Sequence, residues 1–200
     1  ANTLKADRAK VLKALSPFGP APTPISPVGI RLSPGTGFSR GPNVTREEAY
    51  RKGWFEIQDE GSQVCALLVF PREKEKVLDY CAGAGGKTLA LSAALGNRGQ
   101  VHADDGARGQ LAPIWERLKR AGTRNVQVHK PGEDLSPLAG RMDRVLVDAP
   151  CTGSGTWRRR PESKWRLSPD ALERRLEEQV AVLDEACRFV RPGGFLVYVT

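Results

Sequence analysis

The sequence predicts an α/β fold: a mainly parallel sheet with helices on its faces, preceded by a small α+β module. Three observations carry this. From Lys76 onward the apolar runs KVLDY, GQVHADD, NVQVHK, RVLVDAP and GFLVYVT alternate with stretches of helical spacing at 87–95, near 107–121 and near 169–190. Strand followed by helix, repeated, lays the strands side by side in one direction, because each helix carries the chain back to the same end of the sheet. A glycine-rich loop follows the first of these strands, and residues 16–43 carry too many prolines for a continuous helix.

The elements follow in order. DRAKVLKAL has helical spacing at Val11, Leu12 and Leu15, and VGIRL is a short strand inside the proline-rich stretch. TREEAYRKG offers a capping box, Thr45 with Glu48, and a stop at Gly53. GSQVCALLVF is a helix whose apolar face includes Cys65, read as core. The helix after the second strand of the alternating part carries Leu111, Ile114, Trp115 and Leu118, which makes Trp115 a core residue. The longest helix is capped by Ser168 with Pro169 at its first position. Leu172, Leu176, Leu183, Cys187 and Val190 form its apolar stripe, and Pro192-Gly193-Gly194 ends it.

Composition narrows the classes. Two hundred residues suffice for one well-packed domain with a small second module. Lys+Arg 31 against Asp+Glu 23 leaves a net charge of +8, which favours a polyanionic partner. Cys65, Cys81, Cys151 and Cys187 show no C-x-x-C spacing and only two histidines accompany them, so no metal site is expected. A disulfide framework is not expected either, and a reducing cytoplasm fits the chain. No apolar run approaches the ~18 residues that a membrane span needs.

The loop in VLDYCAGAGGKT ends like a P-loop, but counting back from Gly86 puts Cys81 where that motif requires glycine. The dinucleotide fingerprint fails as well, since Thr88 stands where its last glycine should be. A glycine loop after a strand carrying Asp79 suits S-adenosylmethionine better. Ligands of parallel sheets bind beyond the carboxyl ends of the strands. The candidates are therefore Asp79, Cys81, Asp105, Asp134, Asp148 and Cys151. Asp104 and Asp105 end the second strand, and alternation puts only one of them in the crevice, where an acid can accept from ribose hydroxyls. DRVLVDAPCTGSGT sets an acid and a thiol three residues apart at the ligand end of the sheet. The same strand also resembles a Walker B segment, which keeps a P-loop ATPase as an alternative. WRRRPESKWR then packs five cations and two tryptophans into ten residues, a composition that neutralises phosphates and stacks on unpaired bases.

Together these segments resemble the RNA (cytosine-5)-methyltransferases of the Sun family: WFEIQDEGSQ leading into the catalytic domain, CAGAGGKT, DAPCTGSGT and RRRPESKWR, in that order. The resemblance implies a Rossmann-like methyltransferase domain over residues 56–200, preceded by a partial RNA-binding module over 1–55. It implies S-adenosylmethionine as cofactor, held by Cys81, Ala82, Gly83, Ala84, Gly85, Gly86, Lys87, Asp105, Asp134 and Asp148. It places Cys151, Asp148 and Pro150 at the chemistry, and Arg158, Arg159, Arg160, Lys164 and Arg166 on RNA, either ribosomal or transfer RNA. The expected product is 5-methylcytosine, formed by a cytoplasmic monomer through a covalent cysteine adduct. An inactive RNA-binding protein of the same fold is the other alternative. One departure stands out: the family's attacking thiol lies in a Thr-Cys pair after a later strand, and this chain stops at VYVT. The chain is therefore expected to be cut at both ends, with Cys151 acting in product release. Otherwise Cys151 is itself the nucleophile.

Overall fold

The computed structural model describes residues 1–33, 41–107, 109–158 and 160–200. The chain opens with α1 (Arg8–Ala14), capped by the Asp7 carboxylate, which accepts from the Lys10 amide at 2.7 Å. A two-stranded antiparallel pair, β1 (Ala21–Pro22) and β2 (Ile30–Arg31), and the short α2 (Glu48–Arg51) complete this part. Ala6, Val11, Leu15, Val44, Ala49 and Phe55 form its own buried cluster. The expected capping box does not form. Thr45 donates instead to Asn43 Oδ1 at 2.6 Å, and a 3-10 turn over Val44–Arg46 precedes α2. Thr45 is spent on the turn before the helix begins, and Glu48 pairs forward with Lys52 at 2.6 Å.

After α3 (Glu60–Leu68) the alternating part follows: β3 (Lys76–Tyr80), α4 (Gly86–Ala94), β4 (Gln100–Asp104), α5 (Ile114–Ala121), β5 (Val126–Val128), β6 (Met142–Asp148), α6 (Glu162–Trp165), α7 (Pro169–Cys187) and β7 (Val190–Val199). The five long-range strands run parallel in the order β5-β4-β3-β6-β7. The chain builds outward from β3 to β5 and then returns to the other side of β3, so the order reverses between β3 and β6. Such a reversal opens a crevice at the carboxyl ends of the two strands. Alternation along β3 feeds both layers of core: Val77 packs with Leu91, Leu95, Val101 and Leu146 on one face, and Leu78 with Val145, Val147, Ala186 and Phe189 on the other.

The N-terminal part is fastened to this sheet layer by polar contacts. Asn2 Nδ2 donates to the carbonyls of Gly53 and Ala121, 2.8 Å each. Glu56 pairs with Arg117 at 3.2 Å and with Arg120. No helix among the described residues is long and apolar enough to cross a membrane.

Three sequence expectations change. The helix expected from 107 begins only at Ile114, and Trp115 is 59% exposed, not core; Leu111, Ile114 and Leu118 alone fill the inward face. On α7 Val182 and Ala186 face inward, continued by Phe189 just past the helix end, a stripe rotated by one residue, so Leu172, Leu176 and Cys187 are exposed. Two stripes of helical spacing lie side by side there, and spacing alone does not choose between them. Pro192-Gly193-Gly194 does not stop the helix but lies inside β7. There the pairing shifts register between Val190, opposite Met142, and Phe195, opposite Arg144. Cys65 is half-buried.

Candidate cofactor and base site

The loop between β3 and α4 is held open by its neighbours. The amides of Cys81 and Ala82 both donate to the Asp104 carbonyl, at 3.0 and 2.8 Å, which draws the loop over the end of β4. Arg117 donates from α5 to the Ala84 carbonyl at 2.7 Å. Asp105 accepts from the amides of Gly83 at 2.9 Å and Ala107 at 2.8 Å, one on each carboxylate oxygen. Each oxygen keeps a second lone pair, so the carboxylate can still accept from ligand hydroxyls. Asp104 and Asp105 are both buried, but Asp105 is the one that meets the glycine loop.

Cys81 stands at φ +84, in the left-handed region that the P-loop motif fills with glycine. Burial, and then the nearby Asp105, push its thiol up to about 12, so it is an uncharged wall of the loop. Gly83 and Gly85 lie at φ +54 and +80, and among the described residues an added Cβ at Gly83 would meet only Gln110 Oε1, at 3.6 Å. The backbone of Gly83 is therefore open to a ligand.

Lys87, in the first turn of α4, donates to Asp148 Oδ2 at 2.5 Å across the reversal point between β3 and β6. The two side chains are 12% and 39% exposed, so the lysine is the covered partner and the carboxylate faces outward. Beyond it, Pro150 offers its carbonyl to Gln179 of α7 at 2.9 Å, and the same amide donates to Thr200 Oγ1 at 3.0 Å. Cys151 is exposed, its sulfur accepting from the Gly153 amide at 3.4 Å.

The structure thus brings Cys81 to Lys87, Asp105 and Asp148 together at three adjacent strand ends, with Cys151 at the rim. Asp134 sits apart from this group. It caps Ser136 at 2.9 Å and lines a cavity of 370 Å³ with Tyr80, Asp104, Gly106 and Glu133. Arg158, Arg160, Lys164 and Arg166 are exposed, and Arg159 lies outside the described residues. Trp165 is 83% exposed, with Lys164 Nζ 5.7 Å from its ring, whereas Trp157 is half-buried. Sequence reading missed three contributors, Thr88, Arg117 and Gln179. Thr88 donates to Asp79 Oδ2 at 2.6 Å from the first turn of α4, and Arg117 and Gln179 act through contacts 33 and 29 residues away in the chain, so no single motif marks them. The residues fit an S-adenosylmethionine-like cofactor: an open glycine backbone, a ribose-competent acid, and a buried carboxylate oxygen of Asp79 with no hydrogen-bond partner among the described residues.

Comparison with known proteins decides the family. Residues 66–200 match the family model described as 16S rRNA methyltransferase RsmB/F. The chain belongs to that family. A probable ribosomal RNA small subunit methyltransferase B of Synechocystis is 32% identical over the whole chain, which covers 45% of that relative. The corresponding Bacillus subtilis protein is also 32% identical over the whole chain, covering 44% of its length. The solved structure of PH0851 superposes with a TM-score of 0.89 at 31% identity, over 98% of this chain and 44% of that one. The chain thus spans less than half the length of the curated relatives it matches. The RsmB/F match contains the glycine loop, Asp105, Asp148, Cys151 and the basic segment, and leaves the N-terminal part outside it. A P-loop ATPase is set aside with the family, and the geometry agrees: the lysine after the glycine loop is committed to Asp148.

Proposed function

We propose that the protein carrying this chain transfers a methyl group from S-adenosylmethionine to carbon 5 of cytosine in ribosomal RNA. Residues 56–200 would supply the cofactor site and one wall of the base site, and residues 1–55 a partial RNA-binding module. The observation that carries the reading is the Lys87–Asp148 pair at the reversal point of the sheet, flanked by the glycine loop on one side and Cys151 on the other. The curated relatives are named ribosomal RNA small subunit methyltransferase B, which favours ribosomal over transfer RNA.

The cofactor supplies an electrophilic methyl group on a sulfonium. Carbon 5 of cytosine is a poor nucleophile until a thiolate adds at carbon 6 and turns the ring into an enamine. Asp148 suits the stabilisation of that ring: Lys87 holds Oδ2, so Oδ1 is the oxygen left for ring N3. Lys87 thereby fixes the orientation of the carboxylate. Gln179 and Pro150 set the course of the loop that brings Cys151 to the rim. We assign Cys151 to the step in which the carbon-5 proton is lost and the adduct released, with the attacking thiol in the family's Thr-Cys pair. Gly83, Asp105 and the loop backbone would hold the cofactor, with Asp134 on the wall of the adjoining cavity.

Basic groups suited to phosphates occur in both parts. Arg158, Arg160, Lys164 and Arg166 follow the site, with Trp165 available for stacking on a base. In the N-terminal part Lys10 and Lys52 lie over Trp54 at 4.0 and 5.5 Å. The chain is taken to act as a monomer without metal.

The test is incubation of the full-length protein with labelled S-adenosylmethionine and unmodified 16S rRNA, followed by nucleoside mass analysis, with Cys151→Ala alongside. The expected result is 5-methylcytosine from the wild type and an accumulating covalent RNA adduct from the variant. RNA binding without any methylated base would defeat the reading. A variant giving neither product nor adduct would move the nucleophile to Cys151.

A further inference from the structure

Arg117 of α5 touches both parts of the chain at once. The Nε–Nη2 edge of its guanidinium rests on Glu56 Oε2, at 3.3 and 3.2 Å, and Nη1 donates to the Ala84 carbonyl of the glycine loop at 2.7 Å. Glu56 directly follows Phe55, which is buried in the N-terminal cluster, so the seating of that cluster decides where Glu56 stands. The other oxygen of Glu56 accepts from Arg120 Nε at 3.1 Å, and the Arg120 guanidinium lies 4.2 Å from the centre of the Tyr50 ring in α2. Lys5 completes the clasp, donating to the Lys52 and Arg120 carbonyls at 3.1 and 2.7 Å. The side chains of Glu56, Arg117 and Arg120 are largely covered, which spares their pairs most of the screening that weakens surface ion pairs.

The loop end of this contact chain is backbone that needs a fastener. Ala84 stands between Gly83 and Gly85, both at positive φ, and glycine backbone turns over at little steric cost. A guanidinium is planar with its donors in a fixed fork, so resting one edge on Glu56 fixes the direction in which Nη1 meets Ala84. The basic groups of the N-terminal part begin at the same clasp: Lys52, whose carbonyl Lys5 holds, lies over Trp54 together with Lys10.

We propose that Arg117 is a positioning residue that ties the course of the cofactor loop to the seating of the N-terminal part, so that RNA held there tightens cofactor binding and bound cofactor tightens RNA by the same factor. The inference rests on the cofactor and RNA readings given above. RNA that steadies the N-terminal part holds Glu56, Glu56 holds the plane of the guanidinium, and the guanidinium holds the Ala84–Gly85 peptide. The cofactor then meets a loop that is already ordered, and binding it costs less conformational entropy.

Equilibrium dialysis of labelled S-adenosylhomocysteine against the full-length protein, with and without saturating unmodified 16S rRNA, reads the coupling. The wild type should bind about tenfold more tightly with RNA present. Arg117→Met keeps the apolar stem and leaves Glu56 its pair with Arg120, but removes both edges of the guanidinium. In this variant the gain should shrink to about twofold or less. Its KM for S-adenosylmethionine should rise more than its kcat falls, whereas a merely structural loss lowers the folded fraction and leaves the gain as it was. Hydrogen exchange over residues 81–87 is the second reading, and RNA alone should slow it in the wild type. An undiminished gain in Arg117→Met overturns the proposal, because the coupling then runs through the target base beside the cofactor. Loop exchange that RNA leaves unchanged overturns it even if the variant does not fold. A wild type that binds no S-adenosylhomocysteine refutes the cofactor reading, and one that binds no RNA refutes the RNA reading. Binding of both without any gain refutes only the role of Arg117.

Discussion

Gly85→Ala isolates how tightly the cofactor loop is packed against α5. Gly85 precedes α4 at φ +80, where a side chain costs about 1 kcal/mol of backbone strain. The added Cβ would lie 2.4 Å from Ile114 Cγ1 and 2.7 Å from its Cδ1. Ile114 is fully buried and cannot swing away, so overpacking adds about 2 kcal/mol. The sum, about 3 kcal/mol, corresponds to a fall in Tm of roughly 6–12 °C for a chain of this size. Gly83→Ala is the control: at φ +54, and 3.6 Å from its one near neighbour among the described residues, it should cost the backbone part alone. That is about 1 kcal/mol, or roughly 2–4 °C. The two variants are compared by circular dichroism melts. Ile114→Ala placed in the Gly85→Ala background removes the clashing atoms, and its cost should be smaller than in the wild type. Equal melting shifts for the two glycine variants, or additive costs in the double variant, would refute the packing argument.

Three further outcomes are expected. Iodoacetamide at pH 8 should label the exposed Cys151 and Cys187 and spare Cys81, whose thiol stays protonated at that pH; peptide mass mapping reads this, and rapid labelling of Cys81 would contradict its placement. His102 and His129 lie buried 3.0 Å apart, and burial followed by His129 lowers the His102 pKa from 6.5 to about 4. The unfolded chain therefore binds the extra proton first, and stability present above pH 6.5 is lost as pH falls towards 4. Urea midpoints across that window should fall less steeply in His102→Gln, and an unchanged slope would show that the pair is not responsible. Glu56→Ala strands the partly buried Arg117 and Arg120 and should destabilise by about 1–3 kcal/mol. The matching check is limited proteolysis at the junction near residue 56, where unaltered protection would count against the contact.

The strands were legible because their evidence is local. KVLDY, the start of β4 and RVLVDAP each show an apolar run bounded by polar or turn residues, and the glycine loop announces its own backbone. The helix faces were less legible. On α7 the spacing admitted two neighbouring stripes, and only contact with the sheet selected Val182, Ala186 and Phe189. Trp115 failed for the same reason: a large apolar residue beside a buried stripe has no sequence mark that tells rim from core. The capping box at Thr45 was locally sound, yet the turn that precedes α2 takes its hydroxyl.

By itself the sequence determined the parallel α/β architecture, the position of the loop between β3 and α4, and the order of segments that carries the family. These depend on hydrophobic period and backbone freedom, which are properties of neighbouring residues. Only the tertiary structure decided that Lys87 meets Asp148, that Asp105 closes on Gly83, and that Asp79 keeps an oxygen without a partner among the described residues. Each of these arises where strands distant in the chain end side by side. What such groups do depends on distance and burial, which chain order does not contain.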